Sequence, residues 1–212
     1  MLFRKQREDF DSLDQIRAEA GIHFFKGEWE KMKELSIKLC NIEDENSSRC
    51  LQFLAWSHMY NKEFHEALTY FKKMEVKSEE AGIPLLISEL RYGYTLDQLG
   101  RKEEAKIHFD KQIEYGIDRI KLNRHDAVIS AIAQSDLAQV YAYLGEKEKA
   151  YKYLHEMEEK EFQGWQFLFF KSNPMMESLW QDDEFKQIIQ RQEQKYANIR
   201  AEIDRYEQEE LR

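Results

Sequence analysis

Apolar residues recur three or four positions apart along most of the chain, which is the spacing of amphipathic helices. Short polar segments of similar character interrupt these runs. The segments are Phe25–Met32, Tyr60–Ala67, Leu99–Ala105 and Leu144–Ala150. Because a helical pattern stands before and after each segment, the sequence predicts four helix hairpins.

The hairpins share small residues at corresponding places. One position, just after the turn, is occupied by Met32, Ala67, Ala105 and Ala150. The position twelve residues earlier is occupied by Ala20, Ala55, Gly93 and Ala138. The turn itself, five residues before the first position, is occupied by Gly27, Lys62, Gly100 and Gly145. Antiparallel helices approach closely only where a small side chain faces a large one, such as Phe71, Phe109 or Leu154. The turn needs a residue that tolerates positive φ. Met32 and Ser36 depart from the pattern in the first hairpin.

This pattern resembles the tetratricopeptide repeat, a hairpin of about 34 residues. The resemblance implies an all-α fold, a right-handed superhelical array of about four hairpins. The repeats are predicted near residues 13–46, 48–81, 86–119 and 131–164. Residues 1–160 would form the array, and residues 161–212 an aromatic capping segment followed by a long helix. Ile117 to Tyr143 is interpreted as an unusually long or broken helix.

The segment Phe162–Phe170 is the most aromatic part of the chain, and Ser172-Asn173-Pro174 ends any helix that it forms. A repeat array must cover the exposed face of its last repeat. We therefore favour a capping role for this segment over a ligand site.

The final segment, Asp183 to Arg212, is predicted to form one long helix with a coiled-coil stripe. The stripe consists of Phe185, Ile189, Gln192, Tyr196, Ile199, Ile203 and Tyr206. The helix either folds back along the array or pairs with another chain, and the pattern does not decide between them.

Composition and net charge limit the classes of function that this chain can have. The chain is 42% hydrophobic with only 2 Pro and 8 Gly, which is typical of packed helices. Its formal net charge is -9, so direct nucleic-acid binding is disfavoured. No window reaches membrane-spanning length and the first residues lack a secretory signal, which predicts a cytoplasmic protein. Cys40 and Cys50 are then expected to be reduced thiols. The alternative, a disulfide bond between them, is left open by the sequence.

Strong catalytic and metal signatures are missing from the sequence, including phosphate loops, His-Glu-x-x-His and Cys-x-x-Cys. The carboxylates of Asp182, Asp183 and Glu184 open the last helix, where capping and the helix dipole explain them. His23 and His58 share one repeat position, which favours packing. We expect a protein that is not an enzyme, with no catalytic residue, no metal and no cofactor.

In the family that the chain resembles, the first helix of each repeat lines a concave groove with its second, fifth, ninth, twelfth and thirteenth residues. Transferred to this sequence, the register gives a strip of aromatic and polar side chains. The strip consists of Arg17, Phe24, Arg49, Gln52, Trp56, Tyr60, Tyr94, Gln98, Gln139 and Tyr143. Such a mixture suits an extended peptide. Alternatively, some rings form the core between repeats or are covered by the C-terminal helix.

The resemblance also bears on the partner. Chaperone-binding members hold a peptide carboxylate with Lys and Asn at the fifth, ninth and twelfth positions, where this chain has Arg17, Gly21 and Phe24. Chaperone co-factor activity is therefore not expected. Residues 173–185 are similar to the segment that closes tetratricopeptide arrays in bacterial multidomain regulators.

The resulting hypothesis is a protein–protein interaction module, a scaffold in a bacterial regulatory or signalling system that binds a protein or peptide, with no nucleic acid and no membrane as partner. The alternative is an assembly protein that forms a homodimer through the C-terminal helix.

Overall fold

The computed structural model describes residues 2–44, 46–82, 88–122, 127–159 and 164–210. These residues form ten α-helices and one 3-10 helix, and no strand occurs among them. The predicted all-α class is therefore confirmed, while the right-handed superhelix stays a prediction. Across the described residues, no helix combines the length and the apolarity needed to cross a bilayer.

Eight of the α-helices form four consecutive hairpins. They are α1 (Leu2–Lys26) with α2 (Trp29–Ile42), α3 (Ser48–Tyr60) with α4 (Phe64–Ala81), α5 (Glu89–Gln98) with α6 (Lys102–Leu122), and α7 (Ala127–Tyr143) with α8 (Lys147–Glu158). The C-terminal elements are α9 (Gly164–Phe170), a 3-10 helix (Pro174–Leu179) and α10 (Asp183–Glu210). The segment interpreted as a long or broken helix is divided between α6 and α7.

The four hairpin turns have the same backbone geometry. Gly27, Lys62, Gly100 and Gly145 all have positive φ, between 62° and 77°. In each turn the following residue donates its N–H to the carbonyl five residues earlier: Glu28 to His23, Glu63 to His58, Arg101 to Leu96 and Glu146 to Tyr141, at 2.9 to 3.0 Å. This is the hydrogen bond of a Schellman helix end. The four positions that the sequence pattern aligns therefore share one turn geometry, while the predicted repeat bounds stay a prediction.

Close helix contacts occur at the small residues. A Cβ placed on Gly93 would lie 2.8 Å from the Phe109 ring, and one placed on Gly116 would lie 2.8 Å from Leu137 Cγ. In the first hairpin, which departs from the pattern, the two unusual residues are both buried in α2. Met32 is buried there, and the buried Ser36 hydroxyl donates to the Met32 carbonyl at 2.7 Å.

The chain divides into two compact units, Met1–Tyr115 and Gly116–Arg212. Unit 1 holds the first three hairpins up to the middle of α6, and unit 2 holds the rest. This division by contacts differs from the predicted boundary at residue 160, which followed the change in sequence pattern and stays a prediction. The start of the third predicted repeat, at residues 86 and 87, lies outside the described residues.

The aromatic segment of unit 2 is packed inward. Phe167, Phe169 and Phe170 of α9 are buried together with Met175, Met176 and Leu179 of the 3-10 helix. The 3-10 segment is attached to α7 because the Ser178 hydroxyl donates to the Ala142 carbonyl at 2.7 Å. These contacts agree with a capping role, although the first residues of the predicted segment, Phe162 and Gln163, lie outside the described part.

The stripe of α10 changes its environment halfway along the helix. In the first half, the buried residues within unit 2 are Phe185, Ile189 and Gln192. In the second half, Ile199, Ile203 and Tyr206 are 44%, 51% and 69% exposed. The first half also carries polar links to α8. One half of the helix thus folds back on its own unit, and the other half presents its apolar stripe to solvent.

Candidate functional site

Aromatic side chains from α1, α2 and α3 meet in unit 1. The centroid of the Phe24 ring lies 5.8 Å from that of Trp56 and 5.6 Å from that of Tyr60. Trp29 stacks on Tyr60 at 4.3 Å, with 15° between the ring planes. Phe24 and Tyr60 are buried, while Trp56 is partly exposed. Part of the predicted strip therefore belongs to the core between the first two repeats.

A guanidinium group lies against this cluster. The central carbon of the Arg91 guanidinium, on α5, is 4.0 Å from the centroid of the Trp56 ring. Arg91 Nε donates a hydrogen bond to the Tyr60 hydroxyl at 3.2 Å, and Trp56 Nε1 donates to Ser88 Oγ at 3.3 Å. Because the face of an indole ring is electronegative, the ring attracts the cation. Trp56 and Tyr60 together fix the orientation of the guanidinium plane.

The positive charge of Arg91 is not matched by a carboxylate within the described part of the chain. The residue is only 6% exposed, and its polar contacts there are the Tyr60 hydroxyl and the Trp56 ring. Burying a cation without a counter-charge costs free energy that a ring and a hydroxyl offset only in part. Arg91 is thus a buried cation whose contacts, within the described part of the chain, are an aromatic ring and a hydroxyl group.

Sequence reasoning missed Arg91 because it occupies the sixth position of its repeat, outside the five positions that define the groove. One signal was present in the pattern. All residues from Glu89 to Leu96 are buried, so α5 is covered on every side. A charged side chain in such a helix requires a specific partner.

The other residues of the predicted groove strip that lie in unit 1 differ in their accessibility. Arg17 pairs with Glu43 and Asp14, and these two carboxylates raise the pKa of its guanidinium, the hydrogen bond to Glu43 most strongly. Tyr94 is buried, with its ring edge-on to Phe64 at 6.0 Å. Arg49 and Gln98 are exposed, and Gln52 is half-buried.

Two residues of the predicted groove strip lie in unit 2. Gln139 is 1% exposed, and its amide nitrogen donates to the Ser135 carbonyl at 3.0 Å. Its amide oxygen accepts a 2.7 Å hydrogen bond from Asn173 Nδ2 in the capping segment. A partner would have to displace Asn173 to reach this amide. Tyr143 remains half-buried.

Two open depressions lie on the surface of the described residues, one in each unit. One, of about 560 Å³ in unit 1, is lined by His23, Glu28, Trp29, Glu30, Lys31 and Asn61. The other, of about 420 Å³ in unit 2, is lined by Lys171, Trp180, Phe185, Lys186, Ile189, Gln190 and Glu193. Both are lined by aromatic or aliphatic side chains together with charged ones, and both are open to solvent.

Several histidines have carboxylate partners within their own unit. His58 Nδ1 lies 2.5 Å from Glu63 across the second turn, and His23 pairs with Glu28 in the same way across the first. His108 hydrogen-bonds the buried Glu89. Among the described residues, no group of three or more His, Cys, Asp or Glu side chains could hold a metal ion.

A family model of the tetratricopeptide repeat matches residues 90–115, which cover most of α5 and the first part of α6. No curated protein and no solved structure matches the chain. The repeated turn geometry and this match together define the class: the chain is a tetratricopeptide-like helical repeat protein. The similarity of residues 173–185 to bacterial regulators stays a prediction.

Repeats of this class generally mediate protein–protein interactions and are typically not enzymes. A protein partner is therefore the expectation that the class itself supports.

Proposed function

We propose that this chain is a non-catalytic protein–protein interaction module that binds an extended protein segment on unit 1. The binding surface centres on the Arg91 site, defined as Arg91, Trp56 and Tyr60. The bound segment supplies a carboxylate, from an acidic side chain or a chain terminus, which pairs with the Arg91 guanidinium.

The observation that carries this proposal is the buried, stacked and electrically unmatched guanidinium of Arg91. Guanidinium–carboxylate pairs are planar and two-pronged, so a cation whose plane is already fixed loses little freedom on binding. Buried Arg and Trp side chains are also the residues that most often dominate binding energy at protein interfaces.

Predicted strip residues on α3 extend the surface. Arg49, Gln52 and Trp56 are spaced three and four residues apart, so they share one face of the helix. The exposed Arg49 and the half-buried Gln52 can bond the backbone or carboxylates of a segment that passes the Arg91 site. Gln98 at the end of α5 is a further candidate within unit 1, and Tyr143 is a separate candidate within unit 2.

The test is selection of peptides from a random library displayed on phage against the full chain. Selected peptides should be enriched in Asp and Glu or require a free terminal carboxylate. Arg91→Met should weaken their binding about 10- to 100-fold, because a hydrogen bond to a charged group is worth roughly 1.5–3 kcal/mol. Isothermal titration calorimetry with one selected peptide measures the change.

The matched control is Arg205→Met, which removes an exposed arginine of α10 and should leave the affinity unchanged. Circular dichroism of both variants verifies that each remains folded. Undiminished binding by Arg91→Met, or selected peptides without a carboxylate requirement, would contradict the proposal.

A second candidate function is assembly through the C-terminal helix. The observation that favours it is the exposed stripe of Ile199, Ile203 and Tyr206, since contiguous exposed apolar residues mark interaction surfaces. We also propose that the protein does not bind nucleic acid directly, that it is cytoplasmic and that it belongs to a bacterial regulatory system. Gel-shift assays and cell fractionation test the first two.

A further inference from the structure

Two arginines are associated with one face of α3 in unit 1. Arg91 lies against the Trp56 ring, and Arg49 stands seven residues before Trp56, in the first turn of the helix. Because seven residues make about two helical turns, Arg49 and Trp56 project from the same side, about 10 Å apart along the helix axis. The half-buried Gln52 lies between them on this face.

Neither arginine is paired with a carboxylate in the part of unit 1 that the structure describes. The acidic residues nearest to them in sequence make other contacts. Glu43 pairs with Arg17, and the buried Glu89 hydrogen-bonds His108. Asp44 accepts a hydrogen bond from the backbone N–H two residues later, at 2.9 Å. The face thus carries one buried and one exposed guanidinium group that none of these carboxylates contacts.

We infer that the segment proposed to bind at the Arg91 site carries two carboxylates on residues three positions apart, of which one pairs with Arg91 and the other with Arg49. This inference rests on the proposed function and specifies the class of segment, which is extended and doubly acidic. The amide of Gln52 bonds the backbone of the segment between the two carboxylates.

The spacing along α3 selects the conformation of the bound segment. A polyproline II chain has three residues per turn and rises about 3.1 Å per residue, so side chains three positions apart lie on one side, about 9 Å apart. This matches the spacing of about 10 Å between Arg49 and Trp56. Side chains on one face of a β-strand are about 7 or 13 Å apart. A helical segment bonds its backbone groups internally and leaves none for Gln52.

Arg17 of α1 is a further cation of unit 1, but its charge is already matched. Its guanidinium pairs with Asp14 at 2.6 Å and with Glu43. Glu43 also accepts a hydrogen bond from the thiol of Cys50, the residue after Arg49, at 3.8 Å. A segment would have to displace these carboxylates to reach Arg17, whereas Arg49 is exposed. Arg49 is therefore the second anchor.

The two anchors differ in strength. Ion pairs at exposed side chains are weak and are screened by salt, whereas a buried pair is screened much less. We expect the contact with Arg49 to contribute about two- to fivefold to the affinity at low salt and almost nothing at about 1 M salt. The contact with Arg91 should persist at high salt.

The peptides selected from the phage library on the full chain test the spacing. Asp or Glu should recur three positions from a first carboxylate, in preference to two, four or seven positions. Enrichment at two or four positions would indicate a β-strand, and enrichment at seven a helix. Either result would overturn the inference.

Isothermal titration calorimetry with one selected peptide tests the anchors. Arg49→Met should weaken binding about two- to fivefold at low salt. Replacing one acidic residue of the peptide by its amide should abolish this response, and replacing the other should abolish the response to Arg91→Met. The matched control is Lys38→Met, which removes an exposed cation of α2 in the same unit and should leave the affinity unchanged.

The outcomes separate this inference from the proposed function. If Arg49→Met affects both singly acidic peptides equally, or affects none, the second anchor is refuted while the response to Arg91→Met leaves the proposed function standing. If Arg91→Met changes nothing, the proposed function and the inference fail together.

Discussion

Lys62 has a left-handed backbone, with φ 62°, at the turn position where the other three hairpins have glycine. A side chain in this region costs roughly 1–2 kcal/mol. The second hairpin tolerates this cost because its turn keeps the same hydrogen bond, from the Glu63 N–H to the His58 carbonyl at 2.9 Å. Turn geometry is thus set by the packing of the two helices, and glycine adopts this geometry at the lowest conformational cost.

Gly100 and Gly21 form a matched pair for testing this argument. A Cβ at either position meets no atom within 4 Å, but Gly100 has φ 77° while Gly21 lies inside α1. Gly100→Ala should lower the free energy of unfolding by about 1–2 kcal/mol through backbone strain. Gly21→Ala should raise it by about 0.5–1 kcal/mol through helix propensity. Urea denaturation of both variants measures the difference, and equal effects would contradict the explanation.

Residue types can be predicted where packing alone selects them. The sequence identifies Gly93 as a small position, and the structure supplies the reason, which is its approach to Phe109. The role of Arg91 could not be predicted, because it depends on Trp56 and Tyr60, which lie more than thirty residues away in sequence and reach it only after folding.

At the scale of elements, α10 is fastened to α8 by polar side chains. Arg191 donates to Glu158 at 2.8 and 3.0 Å, and Glu184 lies 2.8 Å from His155. The sequence predicts a capping role for Asp182. Its carboxylate instead accepts hydrogen bonds from Lys147 at 2.8 Å and from the Tyr151 hydroxyl at 3.0 Å, and the hydrogen bond from Lys147 lowers its pKa.

His155 makes this attachment depend on pH. The hydrogen bond to Glu184, followed by that to Glu158, raises the pKa of His155 above its ordinary value of 6.5. A raised pKa in the folded state means that the stabilisation is fully present below about pH 6.5 and is lost as the pH rises through the folded pKa. The melting temperature of the native chain should therefore fall more steeply above neutrality than that of His155→Gln.

Differential scanning fluorimetry from about pH 6 to about pH 8.5 measures both slopes. The other histidines are common to the two proteins, so the difference between the slopes isolates His155. The pKa values of Glu158 and Asp182 are lowered, so both titrate below this window. Parallel slopes would show that the link to Glu184 contributes nothing.

Helices are more predictable than their attachments. The pattern predicts the final helix from Asp183 onward, and α10 begins there. Its apolar stripe is uniform in sequence, so the pattern could not reveal that one half is buried and the other exposed. The buried half of α10 is in a unit where α10 contacts α9 and the 3-10 helix contacts α7.

At the scale of the molecule, the repeat pattern and the compact units are different divisions of the chain. Sequence periodicity places a boundary at residue 160, where the pattern ends. The contacts divide the chain at Tyr115 and Gly116, inside α6, where the sequence shows a continuous helix. A boundary of this kind cannot be predicted from local pattern, because it depends on contacts between distant residues.

Arg91 also affects the stability of the molecule. Replacing a buried, unmatched charge with an apolar side chain of similar length removes a desolvation cost. Arg91→Met should therefore raise the free energy of unfolding by about 1 kcal/mol, after the loss of its attraction to Trp56. Urea denaturation measures the change. Arg205→Met should alter stability by less than about 0.5 kcal/mol, and a destabilised Arg91→Met would show that the charge is compensated.

The two cysteines give the molecule a built-in reporter of partial opening. Cys40 of α2 and Cys50 of α3 are buried in one cluster with Leu54. A thiol reagent can reach them only when this contact between the first two repeats separates. The rate of labelling, compared with that of the unfolded chain, therefore gives the free energy of opening at one defined junction, without any introduced probe.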